Sequence, residues 1–248
     1  MTGLLVLAAM AVVIGSIMQS ATGFGFALVA APVLFPVLGP KEAIGTLLVL
    51  ACVGSALILA AERRRPQPLW PDATVIIATS LPGAVGGIAV LRSVDSVTLQ
   101  YAVTGSVFVA LLVRRYAPRR EVVGGSAWWS APAAGLAAGA LTTSTNTSGP
   151  PLLLYLTGQG RDPLRVRDTI NVCYLGLSTV SAAALWATHT SGAVPDPIVL
   201  AALVPLVIVG HRAGRPIFER LVGDGAYERV LTGTLVAAVL LGLVTALL

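Results

Sequence analysis

The chain has 248 residues, 56% of them hydrophobic and only 11% charged, with 16 basic and 11 acidic side chains. Its mean hydropathy is +0.86. A soluble domain carries roughly 25% charged residues, so this composition excludes a soluble fold, and the same hydrophobicity excludes disorder. A span takes about 20 apolar residues, which leaves room for up to eight or nine passes and for no sizeable soluble domain. The basic excess is no nucleic-acid signature. The charges sit in short clusters between apolar runs, the positive-inside pattern of a membrane protein. Of the 16 basic residues only Lys41 is lysine, a bias that together with the Ala, Val and Gly content suggests a GC-rich bacterial genome. The two cysteines, Cys52 and Cys173, lie in apolar runs and support neither a disulfide framework nor a zinc site. The apolar N-terminus has no basic region ahead of it and reads as mature sequence.

In chain order, apolar segments run at about 3–20, 24–38, 43–61, 73–91, 97–113, 126–144, 150–157, 169–188, 197–217 and 230–248. Two of them look interrupted. Gln19-Ser20-Ala21-Thr22-Gly23-Phe24-Gly25 breaks the first long stretch. Thr142 to Gly149 is a run of eight polar or glycine residues, followed by Pro150-Pro151. A polar run of that length cannot face lipid, and irregular backbone at membrane depth survives only inside protein or beside a water-filled cavity.

A constant offset of 126 residues relates the two breaks: Ser20 falls on Asn146, Thr22 on Ser148 and Gly23 on Gly149. The same offset carries Lys41-Glu42 onto Arg167-Asp168. Two internal repeats are therefore expected, about 1–121 and 122–248, within a single transmembrane domain. Charge then selects a topology. If each interrupted segment crosses the membrane, the basic residues divide 7 against 9. If each is a hairpin that enters and leaves on one side, they divide 14 against 2. The second division obeys the positive-inside rule. It makes the loops at 62–68, 114–121, 158–168 and 211–229 cytoplasmic and both termini extracytoplasmic. Each repeat then has three full spans, an odd number, so the repeats insert in opposite orientations. The expected fold is an all-α, polytopic helical bundle of two inverted repeats, each a re-entrant or broken-helix hairpin plus three transmembrane helices.

Inverted repeats with broken helices at the midplane are the pattern of secondary transporters. The second arm of each hairpin would start at its tip, offering unpaired N–H groups and the positive end of a helix dipole. Two such ends form an anion site without a basic side chain. Thr22 and Ser148 suit the N-cap positions. Gly23, Gly25 and Gly149 allow close approach of a ligand to the backbone. Pro150 fits a first helical turn but removes a donor, which shifts binding onto Thr145, Asn146, Thr147 and Ser148. Gln19, Ser20, Asn171 and Tyr174 complete the candidate substrate-binding set, and Thr22, Asn146 and Ser148 are expected to face one ligand. His211, Arg212 and Arg215 are candidates for a cytoplasmic vestibule that concentrates anions, against the plainer alternative of snorkelling to headgroups. All Asp and Glu lie in or beside loops, so the usual intramembrane proton or sodium carrier is missing. No catalytic residue, metal site or cofactor is expected.

The stretch from Gly23 to Pro32 resembles the Gly-rich first-repeat signature of the sulfite exporter TauE/SafE family, also known as the toluene sulfonate uptake permease family. Thr147-Ser148-Gly149-Pro150-Pro151-Leu152-Leu153-Leu154-Tyr155-Leu156 is similar to its second-repeat counterpart, and Gly210 to Leu221 is similar as well. The resemblance spans essentially the whole chain. Many relatives have three consecutive glycines in each repeat, where this chain has Gly-Phe-Gly and Gly-Pro-Pro. The resemblance implies a multi-pass inner-membrane protein of bacteria that moves sulfite, sulfonates or other small organic anions, often outward. Expected partners are the anion and the lipid bilayer, with no nucleic acid and with a homo-oligomer left open. An anion channel is the alternative, since re-entrant hairpins also build pores. An intramembrane enzyme is the more distant one: His189 lies at the end of its span, far from either tip.

Overall fold

The computed structural model describes residues 2–61, 65–94, 128–157, 162–190 and 192–223, with Thr98, Gly105, Phe108, Gly233 and Val236 as isolated positions. The apolar segments expected at 97–113 and 230–248, and the loop at 114–121, lie outside this description. Among the described residues every regular element is a helix. In chain order these are α1 (Thr2–Thr22), α2 (Phe26–Leu38), α3 (Pro40–Ala61), α4 (Trp70–Ser93), α5 (Ser130–Thr145), α6 (Gly149–Thr157), α7 (Pro163–Ala187) and α8 (Pro197–Gly223). Five of them, α1, α3, α4, α7 and α8, are long and apolar enough to cross a membrane. The protein is a polytopic helical membrane protein.

The breaks are where the sequence places them, and each is three residues long. After Thr22 the chain turns through Gly23 (φ 89°) and Gly25 (φ 103°), a backbone region that glycine adopts at no steric cost. After Thr145 it turns through Asn146 (φ 55°), the side chain that best tolerates this conformation after glycine. The amides of Asn146 and Thr147 donate to the Thr142 and Leu141 carbonyls, which closes the end of α5. Every residue from Gln19 to Pro32 and from Thr142 to Pro150 is buried. The polar backbone of both breaks is thus inside protein, as the absence of water in a bilayer requires.

Glycines set the closest helix contacts. On α8, a Cβ at Gly210 would stand 2.7 Å from the Val13 carbonyl, and one at Gly214 would stand 2.5 Å from the Ile17 carbonyl. Residue numbers rise together on the two helices, so α1 and α8 run in the same direction. On α4, Gly83 meets the Leu136 carbonyl and Gly87 the Ala140 carbonyl of α5, again in parallel. Small residues four apart let backbones approach where lipid supplies no hydrophobic drive between helices. The remaining packing has the same duplicate form. The α2 helix packs on α1 and α3, while α6 packs on α5 and α7; α3 also meets α8, and α7 meets α4. Two apolar clusters follow, one including α2 residues Ala30, Leu34 and Phe35, the other including α6 residues Leu152, Leu153 and Leu156.

The bundle has two distinct ends. At one, the Gln67 and Leu69 amides donate to Asp168 Oδ2 and Thr169 Oγ1 at 2.8 and 2.9 Å, and Arg167 lies over the Phe218 ring. At the other, Arg92 donates to the Thr188 carbonyl and to Thr190 Oγ1, and Gly45 abuts the Ala193 carbonyl. Since α8 runs from the Ala193 end toward Phe218, the parallel α1 does too, and it delivers its break toward the Phe218 end. By the same argument α5, parallel to α4, runs toward the Arg92 end. The two breaks are therefore reached from opposite ends of the bundle. The α7 helix begins at Pro163, six residues ahead of the expected apolar segment, because Asp162-Pro163 starts it inside the basic loop. Pro in the first turn suits its missing N–H.

Candidate functional site

The two breaks meet around a small cavity. Its lining includes Gln19 of α1, Phe24 and Gly25 of the first break, the first turn of α2, Asn146, Thr147 and Gly149 of the second, Ala51 of α3, and Tyr174 and Ser178 of α7. The space available to the centre of a water molecule is about 20 Å³. A Cβ at Gly149 would stand 2.8 Å from Tyr174 Oη and 3.1 Å from the Phe24 ring, so only glycine allows this contact between breaks. Among the described residues no charged side chain lines the cavity.

Two carboxamides hold unused hydrogen-bonding capacity at this wall. Gln19 donates through Nε2 to Ser55 Oγ at 3.1 Å, while its Oε1 has no partner. Asn146 is buried, and its Nδ2 has no partner. A buried donor left unsatisfied costs about 1–3 kcal/mol, which a ligand oxygen on Asn146 would recover. The backbone adds two helix starts: α2 begins at Phe26 and α6 at Gly149, and both residues line the cavity. First-turn amides of a helix lack intrahelical partners and favour negative charge.

The other candidates are placed differently. Thr22 is not the cap of α2, a position taken by Gly25 without any side-chain cap bond. The glycine turn separates Thr22 from that helix. Its hydroxyl lies 2.8 Å from both the Met18 and Phe24 carbonyls, and the residue does not line the cavity. Ser148 does occupy the start of α6, with its carbonyl accepting from the Leu152 amide, but it too is off the cavity wall. Thr145 bonds back to the Leu141 carbonyl at 3.0 Å and sits 2.6 Å from Thr147 Oγ1. The hydroxyls of Thr142, Thr143 and Ser144 likewise bond to carbonyls four residues back. Much of the polar run is thus satisfied by its own helix, as Ser and Thr commonly are.

Ser20, Gly23 and His211 gather next to the first break, away from the cavity wall. Ser20 Oγ lies 3.1 Å from His211 Nδ1 and donates to the His211 carbonyl. His211 is 5% exposed, whereas Arg212 is exposed and Arg215 is half-buried. The three therefore do not share one open surface. Arg167 is the residue that sequence reading missed. It is 1% exposed, its Nη2 donates to the Ser20 carbonyl at 2.8 Å, its stem covers Gly23, and its guanidinium sits 3.7 Å from the Phe218 ring centre. The available signal was the helix start at Asp162-Pro163, which puts Arg167 in a helix and not in a loop. Asn171, one turn on, donates to the Arg167 carbonyl at 2.8 Å. Phe24, Ala51 and Ser178 on the cavity wall carried no signal of their own. Among the described residues no group of three or more His, Cys, Asp or Glu is placed to hold a metal ion.

The model of the family described as Sulfite exporter TauE/SafE matches residues 7–243, nearly the whole chain. Comparisons with curated proteins and with solved structures gave no match. The match covers both breaks, the cavity and all the long helices, and the protein belongs to the sulfite exporter TauE/SafE family, a family of membrane anion transporters.

Proposed function

We propose that the protein is a secondary transporter, acting as an exporter, of a small anion such as sulfite, a sulfonate or a related organic anion. The observation that carries this reading is the cavity where two breaks, reached from opposite ends of the bundle, come together without a charged side chain. The start of α2, the Gly149 amide of α6, the unpartnered Asn146 amide and the Tyr174 and Ser178 hydroxyls supply donors; Pro150 and Pro151 have no N–H and the Leu152 amide is given to Ser148. The wall carries no carboxylate among the described residues, so no full negative charge opposes an anion there. In this reading the substrate is recognised by Gln19, Gly25, Asn146, Thr147, Gly149 and Tyr174. Ser20, Thr22, Gly23, Thr145, Ser148 and Asn171 shape the breaks around them.

The duplicate packing of α1–α4 and α5–α8 supports two inverted repeats, 1–121 and 122–248. Rocking of one against the other would open the cavity to each side in turn. The end of the bundle that holds Arg65, Arg165, Arg167 and Arg220 faces the cytoplasm in this account, and the exposed Arg212 draws anions toward it while the buried His211 does not. The membrane is the bacterial inner membrane.

Purified protein in liposomes tests the proposal. Labelled sulfite and methanesulfonate are expected to accumulate against their gradients when an ion gradient is imposed. Flux that only equilibrates the two sides would make the protein a channel, and sodium- or amine-specific flux indifferent to anions would overturn the reading altogether.

A further inference from the structure

The cavity-lining residues leave one side-chain donor and one side-chain acceptor unused. The donor is Asn146 Nδ2, at the second break, and the acceptor is Gln19 Oε1, beside the first. Both residues are more than nine-tenths buried, Gln19 at 1% exposed and Asn146 at 8%. The other half of the Gln19 carboxamide is held, with Nε2 donating to Ser55 Oγ at 3.1 Å. Gly54 leaves space for the acceptor, since a Cβ there would stand 2.8 Å from Gln19 Oε1. The Tyr174 and Ser178 hydroxyls of the wall can donate or accept, but a carboxamide oxygen only accepts. A bare oxyanion is also only an acceptor. It is matched by Asn146 and opposed by Gln19, whereas an oxyanion that keeps a proton on one oxygen satisfies both.

Charge points the same way. Among the described residues no cation lines the cavity. Arg167 and His211 stand behind the first break, at the Ser20 carbonyl and hydroxyl. The cavity's space for water centres, about 20 Å³, is little more than the roughly 10–15 Å³ that one water needs, which leaves no room for a hydration shell. The cost of taking an ion out of water rises with the square of its charge, so a dianion is disfavoured about four times as strongly as a monoanion of its size. We propose that the site selects a singly charged oxyanion that carries one proton of its own: hydrogensulfite, and not the sulfite dianion. Gln19 Oε1 accepts from the substrate O–H, and Asn146 Nδ2 donates to an unprotonated oxygen. Gln19 is thereby the specificity-determining residue. The proposal rests on the transporter reading above and narrows its substrate.

Calorimetric titration of the purified full chain with sulfite and with methanesulfonate, across neutral pH, tests the selection. Sulfite takes up its proton in this range. Methanesulfonate keeps one charge and no proton throughout, so it reports any titration of the protein, His211 and the Tyr174 hydroxyl included. Affinity for total sulfite, relative to methanesulfonate, should rise as pH falls and follow the hydrogensulfite fraction. At the acid end it should exceed methanesulfonate about tenfold or more, because a site built to bond a substrate O–H rejects the analogue without one. A ratio that is flat, or that rises with pH, would overturn the selection. Gln19→Leu separates recognition from packing. It should weaken hydrogensulfite about tenfold while methanesulfonate binds equally or more tightly, since its oxygens no longer face an acceptor. Equal weakening of both anions would overturn the role of Gln19. If Gln19→Leu does not fold, the pH profile of the unaltered protein decides. If the unaltered protein neither binds nor moves either anion, the transporter reading fails; if it moves both with a flat ratio, only the selection does.

Discussion

Gly149, the first residue of α6, packs against Phe24 of the other break, and a Cβ there would come within 3.1 Å of the Phe24 ring and 2.8 Å of Tyr174 Oη. The contact joins residues 125 positions apart and forms part of the cavity wall on both sides. Gly149→Ala is therefore expected to push the Tyr174 hydroxyl out of place and reshape the cavity. Because the obstacle is the far end of a side chain, the fold should survive. Uptake of labelled sulfite or methanesulfonate should drop about tenfold or more, with the loss in apparent affinity. Unchanged uptake by a well-folded variant would show that this contact does not shape the site.

Asn146 combines two roles that substitution can separate. Its backbone is left-handed, and its Nδ2 lacks a partner. Asn146→Gly keeps the turn and deletes only the amide, so it should bind the anion about ten- to a hundredfold more weakly without loss of stability. Asn146→Asp places a carboxylate where the proposed site seats the anion. The sign is clear: above the carboxyl pKa the charge repels the substrate, and below it the neutral acid again offers a donor. Binding to Asn146→Asp should be poorer than to Asn146→Gly at neutral pH and recover as pH falls. Isothermal titration across pH values would check both.

Gly83 and Gly86 lie on the same helix, three residues apart, in opposite circumstances. A Cβ at Gly83 would stand 2.1 Å from the Leu136 carbonyl, whereas one at Gly86 would meet nothing within 4 Å. Gly83→Ala must push α4 and α5 apart, at a cost of about 1–3 kcal/mol. Gly86→Ala should be neutral or slightly stabilising, given the helix propensity of alanine. Thermal unfolding in detergent should thus separate the two variants, and equal midpoints would contradict the close α4–α5 contact.

Both termini should be extracytoplasmic. Of the described basic residues, Arg65, Arg165, Arg167, Arg212, Arg215 and Arg220 lie toward the Phe218 end and only Lys41 and Arg92 toward the other. Reporter fusions at the C-terminus and at residue 160 should give opposite signals, with residue 160 inside. A cytoplasmic C-terminus would sink the hairpin topology and the inverted repeats with it.

Composition alone put this chain in a membrane, because its 27 charged residues cannot solvate so apolar a chain. Local chemistry located both breaks as well: glycines at 23 and 25, and a polar run ending in Gly-Pro-Pro, cannot continue a helix facing lipid. Those features act over a few residues, so they are legible in one dimension. Which polar groups line the cavity was not. Thr22, Thr145 and the hydroxyls before Asn146 are spent on carbonyls of their own helices or turns, a choice made by side-chain rotamers once the helices pack. The charge pattern alone assigns Arg167 to a basic loop, yet α7 carries it inside to the Ser20 carbonyl, 147 residues away in sequence. The cavity wall likewise needs Ala51, Tyr174 and Ser178 from helices that only tertiary packing brings to the breaks. Periodicity fixes which residues share a helix face, but the neighbour that face meets depends on how distant helices dock.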